Sequence, residues 1–538
     1  MHMRFSIRTL GRSSVVTWVL ITLVTLLFSL GLSSQVAFTM DEFLVYHALA
    51  CTTQSCGDLW NRGREACRAF NLAPLSWLTS EPVFLPLRSY PYVGSIQGLF
   101  YLPLYLLWKS PMSARFFGIL LIGVQSFLIS KTFGQPVLFV LALLLFFMPY
   151  AFQHLVDVGQ LSLCTTAVLL LVFLHKRWMF ALIANRRRSW LVATGIALTN
   201  VVILLFRLNN VAYMPAYMLM QAACMGAFGF KAAWRSRRAK LLIQACWIGG
   251  LFLLGALIWF TSIDRNHVPL YQTVLRAVAR SFASESSFWL STWNHLVRDL
   301  SAYFLNPLLT ARVVHPVTPG WRVEGVALVA LAGMFFLSAW ISATRARYRR
   351  FSFSCLVAFL VGLVSISSVS RSWGMHHLIP VVPIFIVAVF SQIPRRSLGK
   401  LQTFVVLCFL AINIKLYLQL VELEPRDDKY DSRLLAYNEE INERFARSHF
   451  MIVGSWGVYY TKLLYGPPDQ CLIWADTSDV RAITAARRAK EEVKKPALFI
   501  FRNPVPPRYW RYFADKIEKV EVENKVGGWT LWRELPSQ

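Results

Sequence analysis

HKRWMFALIANRRR, residues 175–188, stands between apolar runs at 159–174 and 189–206 and carries five basic residues with no acidic one. Two apolar runs near the roughly 20 residues needed to cross a bilayer, parted by a short basic segment, read as two spans joined by a cytoplasmic loop. The pattern recurs along the chain. Residues 1–13, 131–135, 229–240, 343–350 and 394–400 also hold Arg or Lys but neither Asp nor Glu, and the six stretches together carry 21 basic residues. The formal net charge is +27, so these loops hold most of it. Such a bias orients a polytopic membrane protein and fixes the side on which every other loop lies.

Composition agrees. The 538 residues are 56% hydrophobic and only 15% charged, with mean hydropathy +0.47, which sets the chain apart from water-soluble globular domains. A pI near 10 raises nucleic acid as a partner. The basic residues sit in short loops beside apolar runs, so topology explains them and no nucleic-acid partner is expected. Arg4, Arg8 and Arg12 precede an apolar run at 15–38. That run is long for a signal peptide, and Gln35-Val36-Ala37 is a poor cleavage site, so it reads as a retained first span.

Further runs lie at 113–130, 136–152, 159–174, 189–206, 211–228, 241–260, 325–342, 351–370, 378–393 and 401–420. With the first they make about eleven spans. Residues 94–108 are also apolar but short, and they contain Pro103. If this segment crossed, every later basic loop would change sides. It therefore reads as a juxtamembrane helix in an outer loop at 39–112 with interfacial helices. The other outer segments are 153–158, 207–210, the large loop 261–324, 371–377 and everything past about 421.

The expected fold is thus a polytopic α-helical membrane domain over 1–420, followed by an extracytoplasmic α/β domain over 421–538. In the tail, 449–454, 471–475 and 497–502 read as strands, and 480–495 and 507–517 as helices. Gly454-Ser455-Trp456-Gly457 follows a strand but lacks the spacing of a phosphate loop, so it reads as a structural turn. Cys51, Cys56, Cys67 and Cys471 face the outer side, where disulfides form. Cys51 with Cys56 is one short option, but sequence alone does not settle the pairing.

Two acidic positions carry the chemical interest. Asp41-Glu42 follows the first span directly, and Asp157 lies in the short outer loop Gln153-His154-Leu155-Val156-Asp157-Val158-Gly159. The topology places all three carboxylates at one membrane boundary, where they are costly unless solvated or paired. The plain alternatives are a polar stop to the span for Asp41-Glu42 and a helix cap for Asp157. Arg88, Arg115, Arg207, Arg276, Arg280 and Arg371 lie at the same outer boundary, as snorkelling side chains or as phosphate ligands. His376-His377 closes the last short outer loop; neighbouring His rarely share a metal.

Ser89-Tyr90-Pro91-Tyr92-Val93-Gly94-Ser95-Ile96, then Leu102-Pro103-Leu104-Tyr105 and Ser113-Ala114-Arg115-Phe116, resemble the first outer loop of C-type (GT-C) glycosyltransferases. The bacterial branch related to protein O-mannosyltransferases and the lipid A aminoarabinose transferase is most similar. That superfamily has an acidic residue, often Asp-Glu, after its first span and a second Asp in the outer loop before its fourth. Asp41-Glu42 and Val156-Asp157-Val158-Gly159 match in type and topology. The resemblance covers about the first 180 residues, loosens to about residue 420 and is absent from the tail. Gln160 departs from the pattern, since relatives often carry Pro there.

The resemblance implies sugar transfer from a polyprenyl-phosphate donor to an acceptor at the outer face, inverting the anomeric centre. Asp41 is then the general base, Glu42 a neighbouring carboxylate turned about 100° away, and Asp157 a group that orients acceptor, sugar or metal. Arg88, Arg115, Arg280, Arg371, His376 and His377 are the candidates for the donor phosphate. No cofactor is required by the resemblance; a divalent metal on Asp41 and Asp157 stays open, since only some members need one. The acceptor is a lipid, a glycan or a protein, and the setting a bacterial inner membrane with a cytoplasmic N-terminus and a periplasmic tail. A transporter or flippase is the rival, but it needs midplane charges and repeated halves, and neither is visible. An O-antigen-ligase-like enzyme, relying on Arg and His, is kept open by Arg371, His376 and His377.

Overall fold

The computed structural model describes residues 68–71, 84–88, 111–146, 160–184, 189–206, 213–237, 346–369, 379–392, 432–454, 470–474, 480–501, 507–523 and 529–535, with isolated positions between them. The first span, Asp41, Glu42, Asp157, Arg207, Arg276, Arg280, Arg371, His376, His377, Cys51, Cys56 and Cys67 lie outside the described residues. The chain divides into two compact units. One comprises Met1–Gln35 and Met112–Glu422, the other Val36–Pro111 and Leu423–Gln538.

The first unit is helical: α1 (Pro111–Phe133), α2 (Val137–Phe146), α3 (Gln160–Ile183), α4 (Ser189–Phe206), α5 (Met214–Phe228), α6 (Ala346–Val369) and α7 (Val382–Phe390), the last entered through a 3-10 turn at Ile379–Val381. Among the described residues, four stretches are long and apolar enough to cross a membrane: Arg115–Phe133, Ser162–Ile183, Ser189–Phe206 and Tyr348–Ser365. Their surfaces fit that solvent. Leu120, Val124 and Phe127 on α1 and Phe353, Val357, Leu360 and Val364 on α6 form exposed apolar stripes at helical spacing. The opposite face of α1 buries Arg115, Gln125 and Ser126. Apolar residues outward and polar residues inward is the arrangement expected in lipid. Gly362 of α6 lets two helices approach closely, since a Cβ there would meet Val381 and lie 3.2 Å from the Ala216 Cβ of α5.

Helix ends that border basic segments meet one another. Phe351, near the start of α6, packs on Phe133 at the end of α1 and on Phe228 at the end of α5, with ring centroids 6.3 and 5.7 Å apart. Gln135 Nε2 donates to the Phe390 carbonyl at 2.9 Å, joining the α1–α2 turn to the end of α7. Lys176 Nζ caps the last carbonyls of α1, reaching Lys131 O at 2.7 Å and Thr132 O at 2.5 Å. The basic segments are partly helical, which differs from the expected loops. α3 runs on to Ile183 and α6 begins at Ala346, because continuing the helix satisfies backbone groups that a loop at this depth would leave open.

In the second unit, β1 (Arg68–Asn71) pairs antiparallel with β2 (Phe84–Arg88). Two short runs of the outer loop thus pair across the intervening residues, beside the interfacial helices expected there. Described positions of the juxtamembrane segment, Tyr101, Pro103, Leu104 and Leu107, are helical.

Residues 432–535 contribute α8 (Ser432–Phe445), β3 (Phe450–Val453), β4 (Cys471–Trp474), α9 (Val480–Val493), β5 (Ala497–Phe501), β6 (Ile517–Val520) and β7 (Thr530–Glu534). The sheet order is β4-β3-β5-β7-β6. β3 runs parallel to β4 and β5, and β7 antiparallel to β5 and β6. Phe450, Ile452, Ile473 and Phe499 pack against Ile483, Ala486 and Ala489 of α9 on one face. Alternation puts Met451, Val453, Leu498 and Ile500 on the other, where they are also fully buried. Residues 507–517, expected as one helix, hold a single turn at Pro507–Trp510 and then enter β6 at Ile517. Pairing with β7 overrides the local helical pattern. Gly454 has a packing reason, since any Cβ there would strike the Phe501 ring.

Candidate active site

The end of the helical unit away from the basic segments is built by the start of α1, the start of α3, the start of α5, the end of α6 and the 3-10 turn. Buried polar contacts tie these elements together. Gln125 of α1 donates from Nε2 to Ser162 O at 3.3 Å and to Thr166 Oγ1 at 2.9 Å on α3. Tyr217 of α5 donates its hydroxyl to Pro380 O at 3.1 Å, and its oxygen lies 3.7 Å from Cys164 Sγ of α3. Tyr213 stacks obliquely beside Tyr217, with centroids 6.3 Å apart. The hydroxyls and amides that join these helices gave no functional signal in sequence, being ordinary polar residues inside apolar runs.

Arg115 is the one sequence candidate whose side chain the structure describes. It lies in the second turn of α1, fully buried, and is engaged by other groups. A permanently charged guanidinium is buried only when paired or hydrogen-bonded, so this is not a snorkelling arginine at the lipid surface. Arg88 is the last residue of β2 and sits on the rung opposite Arg68.

The other candidates stand, in sequence, beside the same helix ends. Asp157 precedes Gln160 of α3 by three residues, Arg207 follows Phe206 of α4 by one, Arg371 follows Val369 of α6 by two, and His377 precedes Ile379 by two. Among the described residues no cluster of three His, Cys, Asp or Glu side chains could hold a metal ion. Cys471 carries a free thiol in β4.

No family model and no curated protein matches the sequence. Solved structures are similar in chain path. ArnT from Cupriavidus metallidurans in the apo state aligns with 13% identity and TM-score 0.41 over 98% of this chain and 100% of that one. The same protein bound to undecaprenyl phosphate aligns with 12% identity and TM-score 0.39, over 98% of each chain. The apo oligosaccharyltransferase of Archaeoglobus fulgidus aligns with 12% identity and TM-score 0.40 over 90% of this chain and 69% of that one. All belong to the class that the outer-loop motifs resemble.

Proposed function

We propose that this chain is a membrane glycosyltransferase. It takes a sugar from a polyprenyl-phosphate carrier at the extracytoplasmic face of a bacterial inner membrane and gives it to an acceptor, with inversion. The membrane domain spans about eleven times over 1–420, and 421–538 forms an outer α/β domain that positions the acceptor. One observation supports the reading most. Helix ends beside basic segments gather at one end of the helical unit, through Gln135–Phe390, Lys176–Thr132 and the Phe351 contacts. The alternation that collects them there leaves Asp157, Arg371, His376 and His377 in sequence beside the opposite ends.

The chemistry needs little more. The acceptor O–H gives its proton to the Asp41 carboxylate as its oxygen attacks the anomeric carbon from the face opposite the carrier. The C1–O bond to phosphate breaks and the phosphate leaves with the electron pair. A phosphate monoester is a good leaving group, so base catalysis and charge neutralisation dominate. Arg115, with Arg88, Arg280, Arg371, His376 or His377, supplies the neutralising donors. Glu42 tunes the base, and Asp157 orients the acceptor or holds a divalent ion.

Membranes holding wild-type or Asp41→Asn protein, given radiolabelled polyprenyl-phosphate sugars, test this. Transfer should fall at least about 10²-fold in the variant while insertion and purification are unchanged. Normal turnover by Asp41→Asn would remove the base assignment. Absence of transfer by folded wild-type protein from every donor would remove the transferase reading.

A further inference from the structure

We infer that the basic end of the helical unit is a docking surface for anionic phospholipid headgroups, whose acyl chains lie along the exposed apolar stripes of α1 and α6. Two alignments carry this. On α1 the exposed stripe Leu120, Val124 and Phe127 runs, one helical step further, into exposed Lys131. On α6 exposed Arg349 stands one step before Phe353, Val357, Leu360 and Val364. Residues three or four apart share a helix face, so each stripe ends in a cation. The Phe133–Phe351 contact brings these two helix ends to the same end of the unit.

The cations keep to the edge of the apolar surface. Lys131 Nζ lies 5.4 Å from the Phe127 ring centroid, and Arg177 Cζ lies 5.2 Å from that of Phe173. In each case the ring is one turn nearer the apolar run. A stem laid on apolar surface with its charge at the rim suits a side chain at headgroup level. Trp190, exposed near the start of α4, and Trp234, half-buried with Lys240 Nζ 5.7 Å from its ring, flank basic segments at this end. Tryptophan favours the membrane–water interface. Lys176 differs, since it donates to the α1 carbonyls.

Charge balance names the partner. Lys131, Arg177, Lys231, Arg235, Arg349 and Arg350 are exposed at this end. Residues 82–263 hold one acidic residue, Asp157, which stands in sequence beside the opposite end, and 325–421 hold none. No carboxylate from these segments offsets the mutual repulsion of the cations. Lipid phosphates at the ends of lipid-facing stripes supply the missing charge through charge-assisted hydrogen bonds. A nucleic acid or an acidic protein would need no apolar stripe running into the cations. With the proposed orientation this is the cytoplasmic leaflet, but the surface does not rest on sugar transfer.

The full chain, reconstituted in phosphatidylcholine bilayers with trace spin-labelled phosphatidylglycerol or phosphatidylcholine, tests this. The fraction of each label immobilised at the protein gives their relative association. Wild type should favour phosphatidylglycerol about fivefold or more at low ionic strength, and the preference should shrink as salt is added. Lys131→Gln with Arg177→Gln and Arg350→Gln should bring the ratio close to one. Lys131→Arg with Arg177→Lys and Arg350→Lys keeps the charges and should keep the preference, which separates lost binding from lost folding. Arg487→Gln with Arg511→Gln and Lys519→Gln removes as much exposed charge from the tail and should change nothing. Equal association of the two labels with wild type overturns the surface and leaves its charge to a soluble anionic partner. An unchanged preference in the first triple variant, or an equal loss in the tail variant, overturns it as well.

Discussion

The helical unit and the tail bury polar groups under different rules. Between 116 and 130, 160 and 174, 189 and 206, and 351 and 369 the spanning helices carry no Asp, Glu, Lys or Arg. Arg115 at the outer end of α1 aside, the polar groups they enclose are neutral, and several bond across helices, as Gln125 does to Thr166, Asn200 to Gln221, and Ser352 to the Ala388 carbonyl. The tail buries an amine. Lys462 is fully enclosed, with Nζ 2.9 Å from Asn442 Oδ1 and 3.4 Å from the Asn438 carbonyl, and the Asn438 amide beside it has no partner. Lipid offers no second solvent to a group that loses its partner. A domain in water can shed the charge by proton exchange, and burial alone holds the Lys462 ammonium pKa well below the usual lysine range.

The largest effects should come from the closest backbone approach in each unit. Gly362→Leu pushes α6 off Ala216 and Val381, and Gly454→Leu drives into the Phe501 ring, which is buried in the sheet core. Each should cost about 3 kcal/mol or more. In a thermal melt followed by cysteine accessibility, Gly362→Leu should expose Cys224 and Cys355, and Gly454→Leu should expose Cys471. Equal exposure of all three in both variants would merge the two regions into one cooperative unit.

Lys462 sharpens the contrast through pH. Its folded pKa is lowered, while the unfolded value is about 10.4. Between those two values the unfolded chain holds the proton and the folded chain does not, so stability rises with pH through that window. It does so by about 1.4 kcal/mol per unit where the difference is one full proton, and it is flat below the folded pKa. Denaturant unfolding of the tail should therefore move to higher midpoints as the pH rises towards 10. Lys462→Met should be the more stable at pH 7 and should lose that slope. An unchanged slope would mean that the amine is charged in the fold.

How far each region was legible follows from the same physics. Spans could be placed because lipid demands long apolar runs, and α1, α3, α4 and α6 lie where those runs are. Their ends could not, since α3 and α6 continue into the basic segments for reasons of backbone satisfaction. In the tail, β3, β4 and β5 were visible as short apolar runs. β6 and β7 were not, because Ile-Glu-Lys-Val and Thr-Leu-Trp-Arg-Glu are mixed sequences whose pairing to each other is a long-range fact. β2 was hidden by Pro86, which argues against a strand unless the strand lies at an edge. Within the site, Arg115 could be named from its place after the outer loop. Its complete burial could not be foreseen.

The smallest effect tests the helical rule itself. Asn200 and Gln221 exchange hydrogen bonds, Nδ2 to Oε1 at 3.3 Å and Nε2 to Oδ1 at 3.1 Å, between α4 and α5. Side-chain bonds between spanning helices contribute only about 0.6 kcal/mol on average and about 1.7 at most. The reference state explains why: an unfolded helix in lipid also finds partners, as Asn200 Nδ2 already does at the Ile196 carbonyl, 3.0 Å away. Asn200→Leu should therefore lower stability by less than about 2 kcal/mol, and the double change Asn200→Leu with Gln221→Leu should cost less than the sum of the singles, because no orphaned amide remains. A double-mutant cycle on the purified chain measures this directly. Strict additivity would mean that the two amides do not act as a pair.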